Sequence, residues 1–309
     1  MLKIYQQTIK NKVTFEGIGL HTGKESKINI IPGTEDQGII FKRIDLEKDN
    51  IVVASYDNVS SAILCTTLKN KKGVKVSTVE HLLAALYVAE IDNVTIEINS
   101  DEVPIMDGSA KKFVDGIKKA GLKKLSKKRK YLKILNKVEL IDGKRKIFVE
   151  PNTTSSFEVN FQLNYKNKII GNQKNLVNFQ TDQLDDICQS RTFCLFEDIE
   201  KIKKNGLAKG GSLENAVVVG NDKILNKDGL RNKNEFVNHK ILDLAGDFML
   251  SGYRVLGKIS CFHGGHELTN SFIKKLISSE KSFLLTELKD IIISENITSN
   301  RTIRLAASA

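Results

Sequence analysis

The 309-residue sequence contains no tryptophan, three prolines and four cysteines, and only 6% of its residues are aromatic. Scarce proline and the lack of any low-complexity run argue for folded domains joined by a short linker, without a long disordered tail. Cys65, Cys188, Cys194 and Cys261 are scattered with no C-x-x-C pair. That pattern excludes a disulfide framework and a thiolate zinc site, and fits reduced thiols. No apolar run approaches the roughly 18 residues that a membrane span requires, and MLKIYQQTIKNK lacks the apolar segment and cleavage site of a secretory signal. These absences predict a cytoplasmic protein. Two catalytic motifs are missing as well. GIGLHTGKE fails as a P-loop because Ile18 stands where Gly is needed and Glu25 where Ser or Thr is needed, and no H-E-x-x-H occurs.

What is present is a soluble, basic composition: 40% hydrophobic residues, 28% charged residues and a formal net charge of +11. Such a charge points to an anionic partner, whether nucleic acid, lipid surface or phosphorylated small molecule. Much of it lies between Lys111 and Lys130, which reads as a solvated helix face running into a charged linker. The basic residues are not interleaved with aromatics, so no RNA-recognition pattern appears. A basic nucleic-acid-binding protein with structural histidines stands as the alternative from another functional class.

The length exceeds one ordinary core and predicts two domains. KINIIPG, GIIFKRI and NVTIEINS read as strands around a helix over Ser77 to Glu90, and SAKKFVDGIKKAG as a second helix stopping at Gly121. After the basic stretch, KYLKILNKVELID, KIFVEP, FEVNFQL, NKIIGN and LVNFQT read as strands. A helix over FVNHKILDLAGD, the strand YRVLGKISCF and a helix over Asn270 to Lys281 follow. A histidine-bearing helix, a strand, a short motif and a helix therefore occur once near the end of each half. The expected fold class is α+β: two similarly built two-layer domains, each a sheet packed on helices, over residues 1–125 and 126–284. A helix-strand insert at 193–225 and a C-terminal tail at 285–309 complete the plan.

Chemistry concentrates around the five histidines, all in short motifs. In FVNHKILDLAGD, His239, Asp243 and Asp247 recur every four residues and share one helix face, with Lys240 beside them. His239 and Asp243 are open to two readings, a private ion pair or two ligands of a borderline metal such as Zn²⁺. His81 in STVEHLLAAL is the best third ligand. Glu80 is either the far end of a capping box with Ser77 or a base for a metal-activated water. His266, on a Gly-flanked loop in CFHGGHELTN, is either a turn residue or a proton donor to a leaving amine, with Asp247 as its partner. The apolar residues of Phe193 to Leu225 suit a small core or a groove lining.

The combined motifs TIKNKVTFEGIGLHTGK, STVEHLLAAL, IDNVTIEINSDEVPIMDGSA, SRTF, DGLR, EFVNHKILDLAGD and GGHELTN resemble the zinc-dependent UDP-3-O-acyl-N-acetylglucosamine deacetylases of lipid A biosynthesis. The resemblance spans nearly the whole chain. It implies an active site between the domains, with Zn²⁺ (Fe²⁺ as the alternative) on His81, His239 and Asp243. It implies Glu80 as general base, His266 as cation or general acid oriented by Asp247, and Thr192 as oxyanion partner. Lys240, Phe193 and His263 would meet an amphipathic UDP-acyl-sugar. The implied reaction removes acetate at the committed step of the pathway, in a monomer with no nucleic-acid partner. A deacetylase of another N-acetylated sugar is the nearer alternative. The chain departs from the family's usual pattern at His263, where Lys or Arg is frequent, and at Leu195, where an aromatic is common.

Overall fold

Alternating apolar residues build two sheets with the same strand order. In the computed structural model, which describes residues 2–288, the first sheet runs Val13–Ile18, Glu25–Pro32, Val94–Ile98, Ile39–Arg43 and Ile51–Val53. The one parallel pairing in it joins Ile39–Arg43 to Val94–Ile98. The second half repeats the order with Val138–Asp142, Arg145–Glu150, Arg254–Phe262, Phe157–Asn164 and Asn172–Asn178. Here too, within these five, the parallel pairing is the one between the third and fourth strands. Lys130–Ile134 and Phe283–Glu287 extend this sheet to seven strands. Period-two burial is clear in Phe157–Asn164, whose Phe157, Val159, Phe161 and Leu163 point inward.

Among the described residues, six α-helices accompany the sheets: α1 (Glu80–Val88), α2 (Lys111–Ala120), α3 (Asp185–Gln189), α4 (Ile199–Lys204), α5 (Glu235–Phe248) and α6 (His266–Ser278). The pair α1 and α2 brackets Val94–Ile98, and α5 and α6 bracket Arg254–Phe262. The duplicated order expected from sequence is therefore a duplicated topology, in an α+β fold with sheets packed on helices. One continuous hydrophobic cluster joins the two halves, from Ile28 and Ile96 through Leu82 and Leu83 to Phe236, Ile241 and Val159. No helix among the described residues is long and apolar enough to cross a membrane.

Two features fix α1 against the second half, one at each end of the helix. A Cβ built on Gly246 would lie 2.1 Å from the Glu80 carbonyl oxygen, so only glycine lets the α5 backbone approach the start of α1 this closely. At the other end of α1, buried Arg254 donates to the carbonyls of Tyr87 (2.9 Å), Ile91 (3.2 Å) and Leu86 (3.4 Å). It caps the helix C-terminus with a cation from the second half's central strand.

Several sequence expectations need correction. The basic stretch is no linker: its first half is α2, ended as expected by Gly121 at φ +78°, and its second half is the strand Leu122–Lys128, antiparallel to Tyr5–Ile9. Only Leu125 of that strand is buried, while Lys124 Nζ lies 3.8 Å from the Tyr5 ring centroid. Its partner is more than a hundred residues away, so local composition could not reveal the pairing. The domain boundary expected at 125 falls inside this strand. NKIIGN forms the turn before Asn172–Asn178. The insert opens on a short strand, Phe193–Leu195, parallel to Val217–Val219, before the short helix α4. The helix expected over Asn270 to Lys281 is α6, which starts at His266 and ends at Ser278. The tail expected from 285 begins within the strand Phe283–Glu287, and its residues from 289 onward lie outside the described residues.

Gly246→Ala weighs two opposing effects. Alanine favours a helix interior by about 1 kcal/mol, whereas a methyl group overlapping backbone costs about 1–3 kcal/mol or more. The clash should win. Chemical denaturation is expected to show net destabilisation, and a variant as stable as the parent would contradict the close approach.

Candidate active site

The spacing read from α5 places His239, Asp243 and Asp247 on its α1-facing side, all buried. His239 Nδ1 lies 3.1 Å from the Ser190 carbonyl oxygen, which can only accept, so Nδ1 carries the proton. Burial pushes the His239 pKa down to about 3, so the ring is neutral and Nε2 presents a bare lone pair. That nitrogen stands 3.3 Å from Asp243 Oδ1, and His81 Nε2, from α1, stands 3.4 Å from the same oxygen. The two rings meet edge to face with centroids 5.0 Å apart. Asp243 Oδ1 is buried and has no hydrogen-bond partner. Three ligand atoms, one each from His81, His239 and Asp243, all lie within 4.8 Å of one another. A lone pair facing a carboxylate oxygen is repulsive unless a cation lies between them, so two imidazoles and one carboxylate fit a divalent metal. The private ion pair that α5 alone allows gives way to a three-residue cluster assembled from both halves.

Beside this cluster lie Glu80 and His266. Glu80 is not part of a capping box: Ser77 ends a strand, α1 begins at Glu80, and the carboxylate Oε2 accepts from the Thr66 backbone N–H at 3.0 Å. His266 is the first residue of α6, which corrects the loop placement. Its Nδ1 lies 2.9 Å from Asp247 Oδ2, and its Nε2 faces Glu80 Oε1 at 3.6 Å and Asp243 Oδ2 at 3.8 Å. Burial works against a charged ring here, but Asp247 foremost, then Glu80 and Asp243, push its pKa up to about 10. Burial raises the Glu80 pKa from the ordinary carboxylate range despite opposition from His266 and His81. Asp243, although buried, is held well below that range by His239, Lys240 and His266. Two carboxyl groups a few ångströms apart thus have opposite tendencies, set by their neighbours.

The residues expected around substrate are less uniformly gathered. Lys240 Nζ donates to Asp243 Oδ2 at 2.9 Å and sits 5.5 Å from the Phe193 ring centroid. Burial lowers the Lys240 pKa, but Asp243 reverses this and raises it overall, so the amine stays charged. Phe193 packs 4.9 Å from Phe236 and 6.4 Å from His239 between ring centroids. His263, in a left-handed backbone conformation at φ +52°, lines a cavity of about 150 Å³ with Lys240, Tyr165 and Phe161. Thr192 is fixed by its backbone, donating to Gly108 at 2.8 Å and accepting from Val217 at 2.8 Å, two residues from the Ser190 carbonyl that orients His239. Its hydroxyl makes no hydrogen bond to the cluster. His21 is buried, with Nδ1 accepting from the Ala208 N–H at 3.3 Å. Burial pushes the Cys65 thiol up to about 12, which makes it no nucleophile.

Sequence reading missed Ser190, Thr66 and Asn270. Thr66 is fully buried, donates from Oγ1 to Asp247 Oδ1 at 2.6 Å and receives from Asn270 Nδ2 at 3.3 Å. Nothing local marks it, because its partner lies 181 residues away. Asn270 could have been noticed as a polar residue on the inner face of an amphipathic helix.

Comparison with known proteins agrees with this geometry. Residues 6–278 match the family described as UDP-3-O-acyl N-acetylglycosamine deacetylase. A UDP-3-O-acyl-N-acetylglucosamine deacetylase of Geotalea uraniireducens is 44% identical over 285 residues, covering 92% of each chain. Its namesake from Nautilia profundicola is 43% identical over 286 residues, 92% of this chain and 96% of the relative. A third, from Shewanella baltica, is 38% identical over 289 residues, 93% and 94% of the two chains. With a buried His81, His239 and Asp243 cluster and a match that spans both halves, the chain belongs to the UDP-3-O-acyl N-acetylglycosamine deacetylase family.

Proposed function

We propose that this chain hydrolyses the acetamide of UDP-3-O-acyl-N-acetylglucosamine to the free amine and acetate, the deacetylation step of lipid A biosynthesis. The observation that carries the reading is the unpartnered Asp243 Oδ1 facing two imidazole nitrogens, with Glu80 Oε1 and His266 Nε2 3.6 Å apart beside it. His81, His239 and Asp243 would hold the metal, Zn²⁺ or, as the alternative, Fe²⁺. When bound, such an ion acts as a Lewis acid and lowers the pKa of a coordinated water from 15.7 to about 7.

The chain's own groups supply the proton chemistry. Glu80, its basicity raised by burial, takes the proton of the attacking water as the new C–O bond forms. His266, charged through Asp247, gives its proton to the amide nitrogen as the C–N bond breaks. Asp247 fixes which ring nitrogen points toward the reaction. Thr192 is assigned to the developing oxyanion, and Lys240 and His263 to the anionic and polar parts of the UDP-sugar. Phe193, stacked on Phe236, is assigned to the acyl chain, each of whose methylenes is worth about 0.8 kcal/mol when buried. The insert of residues 193–225 would form that acyl passage.

The direct assay is release of acetate from the UDP-linked substrate, with chelator and with metal restored. Activity should vanish in chelator and return with metal. Glu80→Gln should retain bound metal yet lose about 10²-fold or more of kcat. Full activity in chelator, or an unchanged rate in Glu80→Gln, would contradict the reading.

A second outcome concerns pH. His266 has a folded pKa of about 10, above its unfolded value of about 6.5, so the stability it contributes is complete below about 6.5 and is lost as pH rises through 10. The same charge is needed for proton donation. In Asp247→Asn the largest raising influence is gone, and the basic limb of the kcat/KM profile should move to lower pH. A limb that stays in place would remove His266 from the donor role.

A further inference from the structure

We infer that Thr66 is a positioning residue for both proton-transfer arms of the site, acting through Asp247 and Glu80 and not through the metal cluster. The inference rests on the hydrolase reading above and deepens it. Thr66 begins the strand region Thr67–Lys69, whose register against Lys75–Ser77 is fixed by antiparallel pairing, and Lys75–Ser77 leads directly into α1. Its carbonyl also accepts from the Val79 N–H at 3.4 Å, just before Glu80. The residue is therefore held rigidly beside the start of α1 and is fully buried.

From that position it makes two bonds of different kinds. The backbone N–H holds Glu80 Oε2 at 3.0 Å, leaving Oε1 as the oxygen that faces His266. The side-chain hydroxyl donates to Asp247 Oδ1 at 2.6 Å, leaving Oδ2 for the His266 ring. A hydroxyl has one proton and could point elsewhere, but Asn270 Nδ2 donates to the same oxygen at 3.3 Å and occupies its accepting side. The remaining amide hydrogen of Asn270 goes to the His266 carbonyl at 2.9 Å. The proton of Thr66 is thereby directed to the carboxylate, where a charge-assisted bond is stronger than a neutral one. With both oxygens of Asp247 engaged, its plane is fixed and so is the direction of His266 Nε2. None of these bonds reaches His81 or His239, so the residue orders the acid and base without holding the metal.

Partners that orient the groups around a metal site typically contribute about 10–100-fold to activity. Thr66→Val removes the hydroxyl at nearly constant shape, and Thr66→Ser restores it. In the full-length, metal-loaded enzyme, Thr66→Val should lower kcat about 10–100-fold, with KM and metal content changed less than about twofold. Thr66→Ser should recover most of the loss. In an Asp247→Ala background the same Thr66→Val change should cost less than about twofold, because its target is gone. A kcat for Thr66→Val close to that of the parent, loss of metal from that variant, or losses that multiply fully with Asp247→Ala would each overturn the assignment. If the valine variant does not fold, Thr66→Ala compared with Thr66→Ser reads the same hydroxyl. A parent enzyme without deacetylase activity would instead defeat the hydrolase reading, so the two failures are distinct.

Discussion

The arrangement depends on one electrostatic constraint: two imidazole nitrogens and a carboxylate oxygen meet in a buried space, and Asp243 Oδ1 has no hydrogen bond there. In protein interior, an unpaired carboxylate oxygen facing a lone pair is costly, and a cation resolves both deficits together. Around that point the other charges fall into order. Lys240 and His266 hold Asp243 ionised, Asp247 holds His266 charged, and burial keeps Glu80 more basic than an exposed carboxylate.

Such convergence needs two helices from different halves to touch, and the duplicated topology provides this. Each half offers a histidine-bearing helix before its central strand, and pairing the halves sets α1 against α5. Gly246 removes the side chain that would keep them apart, and Arg254 ties the far end of α1 to the opposite sheet. In the proposed reading, metal binding would depend on the same α1–α5 contact, so damage to that seam should be felt at the site before it is felt in either sheet.

Much of this was legible in the sequence, for physical reasons that differ between residues. His239, Asp243 and Asp247 were readable because a helix turns 3.6 residues at a time and local spacing alone puts them on one face. The duplicated order was readable because period-two and helical patterns recur in both halves. Glu80 and His266 were recognised as chemical groups but misplaced locally: a capping-box spacing at Ser77 and flanking glycines at Gly264 and Gly265 each fit a structure the chain does not adopt. Thr66 and the strand Leu122–Lys128 were invisible because their decisive partners are far along the chain, and propensity carries no information about contacts made across the fold.

Whether His81 joins α5 in holding an ion is the point on which the account turns, since it alone brings a ligand from the first half. X-ray absorption spectroscopy on the zinc-loaded chain, with metal content measured alongside, addresses it directly. The account requires one ion per chain ligated by two imidazoles and one carboxylate, with one imidazole contribution and most of the affinity lost in His81→Ala. A spectrum and stoichiometry unchanged by that substitution would contradict it.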